Sequence, residues 1–168
     1  MHGSGGSPDR SPDRLSAADM ALMTVAIQMS ENSSLRVLLA EDSTLLAARL
    51  TELIHRLPDV ELVGTVDSEA DTLSHVAADT PDVLILDLHL RSGSGFGVLR
   101  ALSRSGSPAS AASGRRPKIV ILTNFGLPEY RREAEAFGVE AFLDKSRDYF
   151  RLPSLLTDFA RDRTQQPH

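Results

Sequence analysis

Glu41 and Asp42 close one apolar run of the chain, Asp87 lies at the end of a second, Thr123 closes a third, and Asp144 and Lys145 follow a fourth. Taken singly, each has an ordinary explanation. Asp42 could assist a helix cap at Ser43, Asp87 could be a turn carboxylate, Thr123 is a common strand residue, and Lys145 could be solvated. Taken together they form a reactive set if the fold gathers them. Three gathered carboxylates repel by about 4 kcal/mol per pair at a separation of about 4 Å and an effective dielectric of about 20. Something cationic must offset that. Lys145 supplies one charge, and a hard divalent ion with oxygen ligands supplies the rest, which points to Mg²⁺ keeping several waters. An Asp beside Mg²⁺, a lysine and a hydroxyl has what phosphoryl transfer asks for: a carboxylate nucleophile, a metal on the phosphoryl oxygens, and donors for the remaining oxygens. The product at such a site is an aspartyl phosphate.

The elements that would gather these residues are legible from Leu35 onward. Short apolar runs rich in Val, Ile, Leu and Phe cover residues 36–40, 60–66, 83–88, 118–123 and 140–143, and each predicts a buried strand. Between and after them run helical stripes: Leu46, Leu50, Leu53, Ile54 and Leu57; Ala70, Leu73 and Ala77; Val98, Leu99 and Leu102; Tyr130, Ala134 and Phe137; and Leu152, Leu155, Leu156 and Phe159. Ser43 and Ser68 can cap, Pro153 suits a first turn, and Gly138 stands just past the fourth stripe. The alternation (βα)5 predicts a doubly wound, five-stranded parallel sheet covered on both faces. In such a sheet the ligand crevice lies beyond the carboxyl ends of the strands, where the acids, Thr123 and Lys145 stand. One long connection, residues 103–117, is rich in Ser, Ala and Gly, carries Arg115 and Arg116, and reads as a flexible surface insertion.

The chain's 168 residues suit one globular domain at roughly 150 residues per domain. Cys is 0, which excludes disulfide scaffolds, thiolate metal sites and cysteine nucleophiles and makes the cytoplasm the default compartment. A net charge of −5 offers no broad field for nucleic acid or an anionic membrane, so neither is expected as a partner. No apolar stretch approaches the roughly 20 residues that span a bilayer. Residues 20–27 form an apolar patch after Arg10 and Arg14, but Asp13 and Asp19 flank it and no small-residue cleavage site follows, which does not suit a signal peptide. Residues 1–34 read as a disordered or weakly ordered tail with at most a short amphipathic turn. Residues 35–163 read as the folded domain, and 164–168 as a second tail. The residues after Lys145 suffice for a last helix but not for an output domain, so output is expected through protein contact.

The combination resembles the receiver domain of two-component response regulators, of the stand-alone, single-domain type. Leu39-Ala40-Glu41-Asp42-Ser43 is similar to that family's acidic pair after the first strand. Leu84-Ile85-Leu86-Asp87-Leu88-His89-Leu90, with Gly95 further on, is similar to its phosphoacceptor segment. Ile121-Leu122-Thr123 and Phe142-Leu143-Asp144-Lys145 are similar to its switch Thr, switch aromatic and Lys. The resemblance implies a flavodoxin-like fold. It also implies that Glu41, Asp42, Asp87 and the backbone carbonyl of His89 hold Mg²⁺, directly or through water. By the same resemblance Asp87 would take the phosphoryl group from a sensor histidine kinase or histidine phosphotransfer protein, Thr123 and Lys145 would then grip the phosphoryl oxygens, and Phe142 would turn inward as Thr123 moves. Output by this resemblance goes to a downstream protein or a second copy through the fourth helix, fifth strand and fifth helix of the (βα)5 unit, a face that includes Tyr130, Arg131, Phe142 and Phe150.

Two positions depart from the pattern: Arg91 stands four residues after Asp87, and Ser146 follows Lys145, where the family usually has Pro. They bear on the geometry of the loop after the third strand and of the fifth strand's end. Arg131 and Arg132 read as a solvated helix face. Two other functions stay open. A pseudo-receiver would bind partners without phosphorylation but would be expected to lack a site residue. An Mg²⁺-dependent phosphohydrolase with an Asp nucleophile resembles a motif with a second acid two residues on, where this chain has His89.

Overall fold

The computed structural model describes residues 16–31, 34–104 and 115–165. The reading of residues 1–15 as a tail, and most of the insertion reading for 103–117, fall outside the described residues. The chain divides into two units, residues 1–32 and 33–168.

In the first unit, α1 spans Ala17–Glu31. This corrects the expectation of at most a short turn, and the local chemistry explains it. No Gly or Pro interrupts these 15 residues, and Ala, Leu and Met favour helix. Ser16 and Asp19 exchange a reciprocal cap: the Asp19 N–H donates to Ser16 Oγ at 3.1 Å and the Ser16 N–H to Asp19 Oδ2 at 3.1 Å. The helix is apolar on several faces, with Met20, Leu22, Met23, Val25 and Ile27 between 50% and 69% exposed.

The second unit runs β1 (Leu35–Ala40), α2 (Thr44–His55), β2 (Val60–Val66), α3 (Glu69–Ala78), β3 (Val83–Leu86), α4 (Gly95–Ser103), β4 (Lys118–Thr123), α5 (Pro128–Ala136), β5 (Ala141–Asp144) and α6 (Leu152–Gln165), the last led in by a 3₁₀ turn at Tyr149–Arg151. α6 takes in Thr164 and Gln165, which the sequence assigned to a tail. The five strands are parallel in the order β2-β1-β3-β4-β5, a doubly wound, flavodoxin-like sheet. β3 shows why its run is apolar throughout. Val83 and Ile85 pack into a core with Leu50, Ile54 and Leu156, while Leu84 and Leu86 pack on the opposite face with Val76, Val98 and Leu99. The direction of winding reverses between β1 and β3, which opens the crevice at their carboxyl ends. No helix among the described residues is long and apolar enough to cross a membrane.

Candidate functional site

Strand register places the acids. Ala40 pairs with Leu86, and the Asp87 N–H donates to the Ala40 carbonyl at 3.0 Å, so Glu41-Asp42 and Asp87 leave the sheet side by side. On the other flank Thr123 pairs with Asp144, and the Lys145 N–H donates to the Thr123 carbonyl at 2.9 Å. The Lys145 side chain reaches the acids: its Nζ lies 2.6 Å from Asp87 Oδ2 and 2.7 Å from Glu41 Oε2. This charge cluster is almost dry, with the side chains of Lys145, Asp87 and Glu41 only 7%, 4% and 1% exposed. Asp42 is exposed and completes the acidic rim.

Burial pushes the Glu41 carboxyl above its ordinary pKa, against the opposing pull of Lys145 and of the Ser43 N–H, which donates to Glu41 Oε1 at 3.0 Å. Burial also works against the charged form of Lys145, but its hydrogen bonds to Asp87 and Glu41 outweigh this and hold the ammonium above the ordinary lysine value. Lys145 therefore stays cationic where it neutralises the acids.

The donor set fits a hard divalent ion. Carboxylate oxygens of Glu41, Asp42 and Asp87 all lie within 4.8 Å of one another. Mg²⁺ with ligands at about 2.1 Å sets its oxygens roughly 3 to 4 Å apart, so a small side-chain adjustment or a bridging water closes the cluster on the ion. The exposure of Asp42 leaves room for the waters that Mg²⁺ keeps.

The remaining site residues fall around this centre. The His89 N–H donates to Asp87 Oδ1 at 3.1 Å, and the exposed His89 ring stacks on Phe125 with centroids 4.9 Å apart. Thr123 is fully buried, and its Oγ1 accepts from the Phe125 N–H at 3.2 Å. Phe142 lies inward, 5% exposed, where an inward turn was expected only as Thr123 moves. Arg131 is not simply solvated: its guanidinium covers the Phe142 ring at 4.6 Å and donates to the Phe142 carbonyl at 3.1 Å. Arg132 is exposed, as a solvated face requires.

Both departures from proline provide amide donors. The Arg91 N–H donates to the Asp67 carbonyl at 2.9 Å and the Ser146 N–H to Asp144 Oδ1 at 2.8 Å. The loop after β3 is thus tied to the end of β2. Sequence reasoning missed Asp67, Glu69 and Phe125 as neighbours of the site. The signal for Glu69 was the spacing Gly93-x-Gly95-x-Gly97, which marks close backbone approach without naming what approaches.

Residues 37–157 match the family model for the response regulator receiver domain. A protein-glutamate methylesterase/protein-glutamine glutaminase of Myxococcus xanthus is 35% identical over 98 residues, 58% of this chain and 26% of that protein. The transcriptional regulatory protein DesR of Bacillus subtilis is 30% identical over 109 residues, 65% of this chain and 50% of that protein. This chain thus spans half or less of the length of these two relatives. Among solved structures, the signal receiver domain of a putative Luxo repressor protein from Vibrio parahaemolyticus aligns with a TM-score of 0.63 and 26% identity, covering 80% of this chain and 99% of that one. With the site at the carboxyl edge of its sheet and the family match over most of its length, the chain belongs to the receiver domains of two-component response regulators.

Proposed function

We propose that Asp87 accepts a phosphoryl group from the phosphohistidine of a sensor histidine kinase or histidine phosphotransfer protein, and that the chain works in the cytoplasm as a phosphoacceptor passing its signal on through protein contacts. The observation that carries this reading is the Lys145 ammonium shared between Asp87 and Glu41 at 2.6 and 2.7 Å, with Asp42 beside them. An Asp87 carboxylate oxygen attacks phosphorus as the phosphorus–nitrogen bond breaks. The imidazole leaves with the bonding electron pair and takes up a proton, and an acyl phosphate forms on Asp87. Glu41, Asp42, Asp87 and the His89 backbone carbonyl would hold Mg²⁺, which would supply charge neutralisation for the phosphoryl group. Lys145 turns its ammonium from the Asp87 carboxylate to a phosphoryl oxygen. Thr123 Oγ1 is an acceptor for the Phe125 N–H, so its hydroxyl proton is available for another.

The test is incubation with acetyl phosphate, with and without Mg²⁺, followed by intact-mass measurement. One phosphoryl increment is expected with Mg²⁺ and none for Asp87→Asn, whose fold should persist. An equal yield of aspartyl phosphate on the variant would sink the assignment.

A further inference from the structure

The loop from Asp87 to Gly95 carries both the acid and His89, yet it lacks proline and four of its last five residues are Gly or Ser. Such a segment is costly to order. The structure shows what orders it. β2 runs out into Asp67, Ser68 and Glu69, and these three residues are joined to the loop at successive points. The Arg91 N–H donates to the Asp67 carbonyl at 2.9 Å, and the Arg91 guanidinium donates to Asp67 Oδ1 at 2.8 Å. Ser68 and Ser92 form a parallel bridge. The Glu69 N–H donates to the Ser92 carbonyl at 2.9 Å, and Glu69 Oε2 accepts from the Ser94 N–H at 2.9 Å.

Glu69 thus grips both sides of Gly93, with its amide on one side and its carboxylate on the other. The glycines are cut to fit it. A Cβ on Gly93, whose φ is +76°, would stand 2.4 Å from Glu69 Cβ, and one on Gly97 would stand 2.1 Å from Glu69 Oε2. The carboxylate also sits at the positive end of α4, beside the Ser94 cap of the Gly97 N–H at 3.0 Å. From there the constraint passes to the acid through backbone alone: the Gly95 N–H donates to the Leu88 carbonyl at 3.0 Å, and Gly95 is packed against the Asp87 carbonyl.

Resting on the phosphoacceptor reading of Asp87, we propose that Glu69 is the positioning residue of that acid: its carboxylate, seated between Gly93 and Gly97, fixes the β3–α4 loop and so the aim of Asp87 and His89. Glu69 touches no reacting atom. Its contribution is geometric, through a hydrogen bond of fixed reach to Ser94, and charge is secondary.

The test compares Glu69→Ala, Glu69→Gln and Glu69→Asp with the wild-type chain for the rate of phosphorylation by acetyl phosphate at saturating Mg²⁺, alongside the melting temperature of each. A misplaced reacting group commonly costs up to about a hundredfold, so about a tenfold slowing is expected for Glu69→Ala and for Glu69→Asp, whose reach is one methylene short. Glu69→Gln keeps the reach and the acceptor and should stay within about twofold of wild type. If Glu69→Ala does not fold, the Asp and Gln variants decide alone. A wild-type rate for Glu69→Asp, or a Glu69→Gln variant as slow as Glu69→Asp, overturns the proposal. A wild-type chain that takes no phosphoryl group on Asp87 would instead remove the functional reading on which it rests.

Discussion

At the scale of single residues, Lys145 carries the largest share of the site's electrostatics. It is one of only two lysines in the chain, with Lys118. Because partners in the folded state hold its pKa above the ordinary 10.5, its stabilising contribution is complete below that pH and is lost as pH rises through the higher folded value. Urea midpoints measured upward from pH 10 should therefore fall, and Lys145→Met should flatten the fall. The acids make a second prediction. Glu41, Asp42 and Asp87 crowd their oxygens within 4.8 Å, so an ion that binds only the folded state should stabilise it. At a hundred times its dissociation constant that is about 2.7 kcal/mol, or roughly 5–10 °C in Tm for a domain of this size. Calorimetry in millimolar Mg²⁺ should show the rise, and Asp42→Ala should remove it. A wild-type chain indifferent to Mg²⁺ would refute the metal site.

At the scale of elements, three helices that follow a strand's carboxyl end begin on a serine. Ser43 Oγ accepts from the Leu46 N–H at 3.3 Å, Ser68 Oγ from Asp71 at 3.2 Å and Ser94 Oγ from Gly97 at 3.0 Å. Two of these caps were legible because serine stands just before a helical stripe. The third, Ser94, sits in a run of Ser and Gly that offers no unique start. What only the fold reveals is the pressure of α4 on the acid. A Cβ on Gly95 would meet the Asp87 carbonyl oxygen at 2.4 Å and Leu88 Cα at 2.8 Å, both backbone, so neither can step aside as a side chain would. Gly95→Ala should cost about 1–3 kcal/mol in a urea titration, as overpacking does, and should also slow phosphorylation of Asp87. Unchanged stability would mean that the loop can move without penalty.

At the scale of the whole folded unit, the question is how an event at Asp87 is read elsewhere. Thr123 closes β4, and the next residues reach Phe125, whose N–H holds the Thr123 hydroxyl and whose ring stacks on His89. β5, paired with β4, carries Phe142 under the Arg131 guanidinium of α5. A phosphoryl oxygen that draws in the Thr123 hydroxyl would disturb the Phe125 anchor and the start of α5 together, biasing a two-state element that a partner can read. Because Phe142 already lies inward, the larger change is expected in residues 124–131 and their packing on β5 rather than in a swing of the ring. Beryllofluoride should therefore shift amide NMR signals of residues 129–137 and 141–151 more than those of 44–57. Shifts confined to the neighbours of Asp87 would favour a passive phosphate carrier.

The alternation of five strands with five helices, and the edge at which Glu41, Asp42, Asp87, Thr123 and Lys145 meet, can be read from the residues alone; β2, expected to be a buried strand, lies instead at the sheet's edge and is only half-buried, because a single strand flanks it. Strands covered on both faces must be apolar throughout, helices carry a stripe every three to four residues, and parallel strands send all their carboxyl ends one way. α1 is different: its apolar residues follow no single stripe, so periodicity understates a helix that composition and the Ser16–Asp19 cap support. The contacts that aim the site were decided only by tertiary structure. Glu69 meets Ser94 across 25 residues, Arg91 meets Asp67 across 24, and Arg131 finds the Phe142 ring across a helix–strand corner. A side-chain pattern shows which face of an element is buried, but not which backbone donor of a distant loop will arrive there, because that depends on register and on the glycines that let two segments close.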